Sequence, residues 1–288
     1  MILVIGKSGQ LACALAALNN AEQAITCFGR EQVDVFDTHD IARVFAECKP
    51  DAVINASAYT AVDQAESDYD DALAMNAHAV ENIAKECAKQ NIHFVHVSTD
   101  YVFAGDKGSP YLPEDQIAPL NAYGRTKAAG EQIINVRYLH NSCIIRTSWV
   151  YSASGKNFVK TMLMLMASKP ALTVIDEQIG SPTSAASLAK ACLLAAQNKI
   201  TGTHHCTDEG VASWYDFAVN IQQQALALGM LSKSVPIEPV SAAAFVTPAK
   251  RPFYSVMSKA SLKSALPTLC LPHWQDALRE VLQQIQKG

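Results

Sequence analysis

Tyr123 and Lys127 stand four residues apart in the run Tyr123-Gly124-Arg125-Thr126-Lys127. On a helix that spacing puts both side chains on one face, about one turn apart. An ordinary phenol titrates near pH ~10, too high to exchange protons readily at neutrality. Closing a gap of about three pH units takes about 4 kcal/mol, at roughly 1.4 kcal/mol per unit. A lysine ammonium at contact distance, sheltered from water, favours the phenolate and supplies much of it. The pair alone is weak, because most such pairs are solvated helix residues. It gains meaning only if the rest of the chain needs a proton donor.

The first twelve residues supply that need. Ile2-Leu3-Val4-Ile5 runs directly into Gly6-Lys7-Ser8-Gly9-Gln10-Leu11-Ala12, and an apolar helical stretch follows to Leu18. An apolar run bounded by glycine reads as a buried parallel strand. Strand, glycine turn and helix in that order form a dinucleotide site, where the backbone approaches a pyrophosphate at the helix start. Ala12 fills the third position of a G-x-x-G-x-x-A pattern, where small size lets helix and sheet pack. An ordinary strand-to-helix turn is the competing reading. The position, on the first strand of an α/β chain, favours the cofactor.

These groups need a scaffold, and the chain order describes one. Ala24–Phe28 reads as the second strand, at whose end the adenosine ribose is recognised. Arg30 there points to the 2′-phosphate of NADPH. Glu31 beside it weakens that preference and leaves NADH open. Asp34 and Val35 offer a lip for the adenine. A helix over Ile41–Cys48, capped by Asp37 or Thr38, ends before Pro50. Asp51–Asn55 is a further strand, followed by the small-residue loop Ala56-Ser57-Ala58-Tyr59-Thr60, which permits close backbone approach to a ligand. Helical pattern covers Ala61–Ser67 and Tyr69–Gln90, with Asn76 read as an exposed mid-helix residue. Ile92–Val97 is a strand ending in Ser98-Thr99-Asp100-Tyr101. Ligands of open α/β sheets sit beyond strand carboxyl ends, so this polar run is a substrate site ahead of a capping motif. The Tyr123 helix runs to about Tyr138, and Ser142–Tyr151 is another strand, whose end carries aromatic and polar groups together.

Strands and helices alternating this way predict an α/β fold, a Rossmann-type doubly wound parallel sheet. The pattern loosens near residue 150. That predicts an NAD(P)-binding domain over 1–150 and a smaller C-terminal α/β substrate domain over 151–288, some of whose segments return to the first. In the second half the expected elements are helices over Asn157–Ser168, Ala185–Gln197, Trp214–Leu228 (capped by Ser213) and His273–Gln286, with strands over Leu172–Ile175 and Gly202–Thr207.

Composition narrows the function. The chain has 288 residues and a net charge of −4, which gives no support to nucleic-acid binding. No apolar run approaches the length needed to span a membrane. The N-terminus reads as a strand without a basic leader, which together with eight scattered cysteines lacking a C-x-x-C pair predicts a cytoplasmic protein with reduced thiols. No histidine or cysteine spacing resembles a zinc site, so no metal is expected.

Together the residues resemble the extended short-chain dehydrogenase/reductases and, more closely, the dTDP-4-dehydrorhamnose reductase family. The stretches that carry the resemblance are Gly6–Leu11, Asn55–Asp63, Ser98–Phe103, Tyr123–Glu131, Arg146–Tyr151, Gln178–Thr183 and Arg251-Pro252 with Ser255, in family order from the first residue to the final helix. The resemblance implies that Tyr123 is the proton donor, Lys127 its partner and holder of the nicotinamide ribose, and Thr99 a second hydroxyl on the reacting oxygen. The expected cofactor residues are Gly6, Ser8, Gly9, Gln10, Leu11, Arg30, Asp34, Val35, Ala56, Ala58, Tyr59, Thr60, Tyr123 and Lys127. Those expected for the dTDP-sugar are Thr99, Asp100, Tyr101, Trp149, Asn157, Gln178, Thr183 and Arg251. Arg251 suits a bidentate diphosphate contact. Trp149 offers a face to sugar or base, with a core tryptophan as the other reading. Some relatives dimerise around magnesium held partly by an acidic residue in the first helix. Ala14 stands there, which argues against a metal-bridged dimer but leaves a homodimer open. The implied reaction is NADPH-dependent reduction of the C4 ketone of dTDP-4-dehydro-L-rhamnose to dTDP-L-rhamnose. A related sugar-nucleotide ketoreductase or epimerase and a non-catalytic regulatory subunit of the same fold are the alternatives. The intact Thr99/Tyr123/Lys127 set argues against the last.

Overall fold

The computed structural model describes every residue except Glu22. Its first half alternates strand and helix: β1 (Ile2–Ile5), α1 (Gln10–Ala16), β2 (Ile25–Phe28), α2 (Thr38–Cys48), β3 (Ala52–Asn55), α3 (Tyr69–Leu73), α4 (Ala79–Lys89), β4 (His93–Thr99), α5 (Ala122–Arg137) and β5 (Ser142–Thr147). The second half holds β6 (Val150–Tyr151), α6 (Phe158–Ser168), β7 (Leu172–Ile175), β8 (Ile179–Gly180), β9 (Thr183–Ser184), α7 (Ala185–Asn198), β10 (Gly202–His205), β11 (Ala212–Ser213), α8 (Trp214–Ala227), β12 (Ile237–Val240), α9 (Ala260–Ala265) and α10 (Trp274–Lys287).

The main sheet has the order β10-β5-β4-β3-β1-β2 with every neighbouring pair parallel. Strands buried on both faces carry continuous apolar runs, as Ile2–Ile5 and Ala52–Ile54 do. Leu11, Leu15, Leu188 and Cys192, from α1 and α7, cover one face. Val44, Phe45, Val80, Ile83 and Ile134, from α2, α4 and α5, cover the other. Beyond β5 a third apolar cluster joins α6, α8 and α10 through Met162, Phe217 and Leu278. The late strand β10 returns to the main sheet, pairing Gly202–His205 with Cys143–Arg146.

The caps follow the sequence. Asp37 accepts from His39 N at 2.8 Å, Asn121 from Gly124 N at 2.8 Å, and Asn157 from Lys160 N at 3.1 Å. Ser213 and Asp216 form a reciprocal capping box. One helical expectation fails. Residues 61–67 form a loop with only a 3-10 turn at Gln64–Glu66. The stretch 69–90 is helical as expected over Tyr69–Lys89, with a π turn over Ala74–His78 set between α3 and α4. Asn76 lies in that π turn and is fully buried rather than exposed. Its amide is turned inward to bond neighbouring chain, a tertiary demand that helix periodicity does not encode. The strand expected over Ser142–Tyr151 breaks at Ser148-Trp149 into β5 and β6, and the short strands β8, β9, β11 and β12 and helix α9 lie outside the sequence expectations. Among the described residues no helix is long and apolar enough to cross a membrane.

Candidate active site

The carboxyl ends of the parallel strands open into two neighbouring cavities of about 590 and 730 Å³. Ser8, Gly9, Ala56, Ser57 and Ala58 line both. Gly6, at the end of β1, adopts φ +129°, where a side chain is strained, and a Cβ there would lie 3.2 Å from the Ala56 carbonyl carbon. The two loops after β1 and β3 thus meet backbone to backbone. The larger cavity is walled by Phe28, Arg30, Val33, Val35 and Met75. A groove with a glycine waist, apolar walls at one end and a cation at its rim fits a dinucleotide.

The smaller cavity contains Gln10, Leu11, Thr60, Thr99, Asp100, Tyr101, Tyr123, Lys127 and Trp149. Residues from four strand ends and α5 are therefore brought to one place, as the sequence predicts. Gly124 makes this approach possible, because a Cβ on it would overlap the Tyr101 carbonyl. The Tyr101 and Tyr123 rings meet edge to face with centroids 5.7 Å apart.

The electrostatics depart from expectation. Lys127 Nζ donates to the Val97 carbonyl at 2.6 Å and lies 3.3 Å from His96 Nε2. Burial lowers the lysine to about 8, against a smaller opposing effect of Glu131. Burial also pushes Tyr123 up to about 12, outweighing the favourable contact with Thr99. The lysine nitrogen is held by β4 rather than by Tyr123. A phenol this reluctant to ionise stays protonated at neutral pH and yields its proton only to a strong base. Asp100 is pushed up to about 6 by burial. Thr99 Oγ1 donates to Asp100 Oδ1 at 3.1 Å and accepts from Tyr101 N at 3.2 Å, both partners lining the same cavity.

Several predicted residues lie outside both cavities. Tyr59 donates from its hydroxyl to Asp68 at 3.1 Å, and Asp34 accepts from Phe36 N at 2.9 Å, each supporting its own loop. Asn157 spends its amide on capping α6 and on Gln10 Oε1 at 2.9 Å. Gln178 and Thr183 are buried. Arg251 pairs with Asp63 at 2.7 Å and bonds the Ala249 carbonyl at 3.1 Å. Trp149, half-buried, lines the smaller cavity and stacks on Trp214 at 3.5 Å. Its own φ of +49° is an outlier for a bulky residue.

The sequence reading missed Ser57, His96 and Trp214 as site neighbours. His96 had a visible signal: it alternates with Ser98 on a strand that ends at the site. Trp214 had none, since its contact with Trp149 joins segments remote in sequence. Among the described residues no group of three or more His, Cys, Asp or Glu is placed to hold a metal ion.

The sheet, the glycine groove and the tyrosine–lysine helix define a Rossmann-type, nicotinamide-dependent oxidoreductase. A family model described as the RmlD substrate binding domain matches residues 1–287. The chain belongs to that family. It is 37% identical over 297 residues to a dTDP-4-dehydrorhamnose reductase of Escherichia coli, covering 99% of this chain and 97% of the relative. It is 36% identical over 285 residues to the spore coat polysaccharide biosynthesis protein SpsK of Bacillus subtilis, covering 98% and 97%. A solved dTDP-4-dehydrorhamnose reductase from Bacillus anthracis, in complex with NADP, superposes with a TM-score of 0.90 at 33% identity, over 98% of both chains.

Proposed function

We propose that the chain reduces the C4 ketone of dTDP-4-dehydro-L-rhamnose to dTDP-L-rhamnose, using NADPH. The observation that carries this reading is the convergence of Thr99, Tyr123 and Lys127 in a cavity that shares its wall with the dinucleotide groove. NADPH supplies hydride when bound. Tyr123 Oη gives its proton to the oxygen of the former ketone, which becomes a hydroxyl. An alkoxide is a strong enough base to take a proton held near pH 12. Thr99 turns its hydroxyl from Asp100 to that oxygen and stabilises charge as it forms. Lys127 leaves Val97 to hold the nicotinamide ribose and favours the phenolate left behind.

Residues 1–150 hold the cofactor in this reading, and 151–288 mainly form the sugar-nucleotide side, with β10 and α7 returned to the first unit. Trp149 supplies an aromatic wall. Arg251 exchanges Asp63 for the substrate diphosphate, an anion that accepts from both guanidinium nitrogens. Asn157, Gln178 and Thr183 act behind these residues, shaping the pocket wall.

The test is oxidation of NADPH with dTDP-4-dehydro-L-rhamnose, followed at 340 nm with the product identified by NMR. Formation of dTDP-L-rhamnose is expected. Folded protein that oxidises neither NADPH nor NADH with this substrate would return the chain to the regulatory reading.

A further inference from the structure

A chain of buried polar contacts runs from the cleft wall to the lysine. Its direction can be fixed atom by atom. Ser57 N donates to Asn55 Oδ1 at 3.0 Å, and Ser57 Oγ donates to the same oxygen at 2.6 Å. A backbone N–H can only donate, so the Asn55 atom facing it is the oxygen. The amide nitrogen, Nδ2, is thereby turned to His96 Nδ1 at 3.3 Å. An amide NH₂ has no lone pair to offer, so His96 Nδ1 must accept. A neutral imidazole carries one proton, which places it on Nε2. Nε2 faces Lys127 Nζ at 3.3 Å. An ammonium has three donors and no acceptor, so it would meet this N–H donor to donor. An uncharged amine accepts it, while its own N–H donates to the Val97 carbonyl at 2.6 Å.

We propose that His96, locked by Ser57 and Asn55 in its Nε2–H tautomer, is a positioning residue that favours the uncharged amine of Lys127 over its ammonium. Asn55, His96 and Lys127 are all buried, so water cannot readily substitute for a mismatched partner. The groups facing the lysine are His96 from β4, and Tyr123 and Glu131 from its own helix. Glu131 is committed to Arg146 at 2.7 Å and does not supply a free counter-charge. Burial lowers both the lysine and the histidine, the direction this arrangement requires.

A functional consequence follows. Ser57 lines both cavities. A ligand that turns the Asn55 amide releases His96 to change tautomer, after which its Nε2 accepts from an ammonium. Lysine charge is then coupled to occupancy of the cleft. This inference concerns the ligand-free chain and stands or falls independently of the sugar assigned above.

The test is NMR on the full-length, ligand-free protein. Two-bond ¹H–¹⁵N spectra of histidine-labelled protein report the tautomer of His96, identified by the signal lost in His96→Gln. The ¹³Cε shift of labelled lysine reports the charge of Lys127, identified by Lys127→Arg. The expected result is a neutral Nε2–H ring above pH 8, and a lysine midpoint near 8 that the His96 signals follow. A neutral Nδ1–H ring, a charged ring, or a lysine that stays charged to pH ~10 would each overturn the proposal. Should His96→Gln not fold, assignment through Asn55→Asp perturbation gives the same reading.

Discussion

Asn76 and Tyr59 exchange two hydrogen bonds: Asn76 Oδ1 accepts from Tyr59 N at 2.9 Å, and Asn76 Nδ2 donates to Tyr59 O at 3.1 Å. A side-chain amide thus does for one residue what a neighbouring strand does for a sheet. It fixes the loop after β3, whose residues Ala56, Ser57 and Ala58 wall the dinucleotide groove. The same nitrogen reaches Thr126 Oγ1 at 3.0 Å, on the helix that carries Tyr123 and Lys127. The π turn around Asn76 aims the amide at both elements.

Asn76→Ala removes these partners from polar groups shielded from water, at about 1–3 kcal/mol per unmade bond. The variant is expected to lose about 2–4 kcal/mol of stability in urea unfolding. Its NADPH affinity is expected to fall several-fold, because the loop wall is no longer held. Unchanged stability would show that Tyr59 finds other partners and that the amide does not organise the loop.

Arg30 is exposed at the rim of the larger cavity. If it receives the 2′-phosphate, Arg30→Ala should raise the KM for NADPH about tenfold to a hundredfold, since a hydrogen bond to a charged group contributes about 1.5–3 kcal/mol. The KM for NADH should barely change. Equal effects on both cofactors would remove Arg30 from the phosphate site.

Lys127 also leaves a signature in the pH dependence of stability. Its folded-state value, about 8, lies below its ordinary value of 10.5. Between these values the unfolded chain binds the extra proton and the folded chain does not, so this group makes stability rise with pH across that window. Buried thiols such as Cys143, and Tyr123, are shifted upward and act in the opposite sense. The informative quantity is therefore the difference between wild type and Lys127→Met in urea unfolding at pH 7.5, 8.5 and 9.5. Wild type is expected to gain on the variant as pH rises. A constant difference would mean that the lysine is charged in the folded protein across the range.

What could be read from the sequence divides along physical lines. The β1–Gly6–α1 unit and the Tyr123/Lys127 spacing are local patterns, and their elements stand where the sequence puts them. The parallel sheet follows from apolar runs that only burial on both faces explains. Asn76 was misread because its partners, Tyr59 and Thr126, are 17 and 50 residues away and no helical period announces them. The pairing of Arg251 with Asp63, 188 residues away, carries no local mark in the sequence. The hold on Lys127 was hidden for a similar reason: the Val97 carbonyl that accepts from it is a backbone atom, present at any residue type.

The proton donor is the centre of the account, and Tyr123→Phe tests it most directly. The substitution keeps the ring against Tyr101 and removes only the hydroxyl. The measurement is kcat with dTDP-4-dehydro-L-rhamnose, with (4-²H)-labelled NADPH used to establish that hydride transfer limits the rate, beside NADPH affinity from fluorescence titration. The account predicts that kcat falls by roughly 10²–10⁴, the usual contribution of a general acid, while NADPH affinity stays nearly unchanged. A wild-type kcat in Tyr123→Phe, with a full deuterium isotope effect, would contradict it.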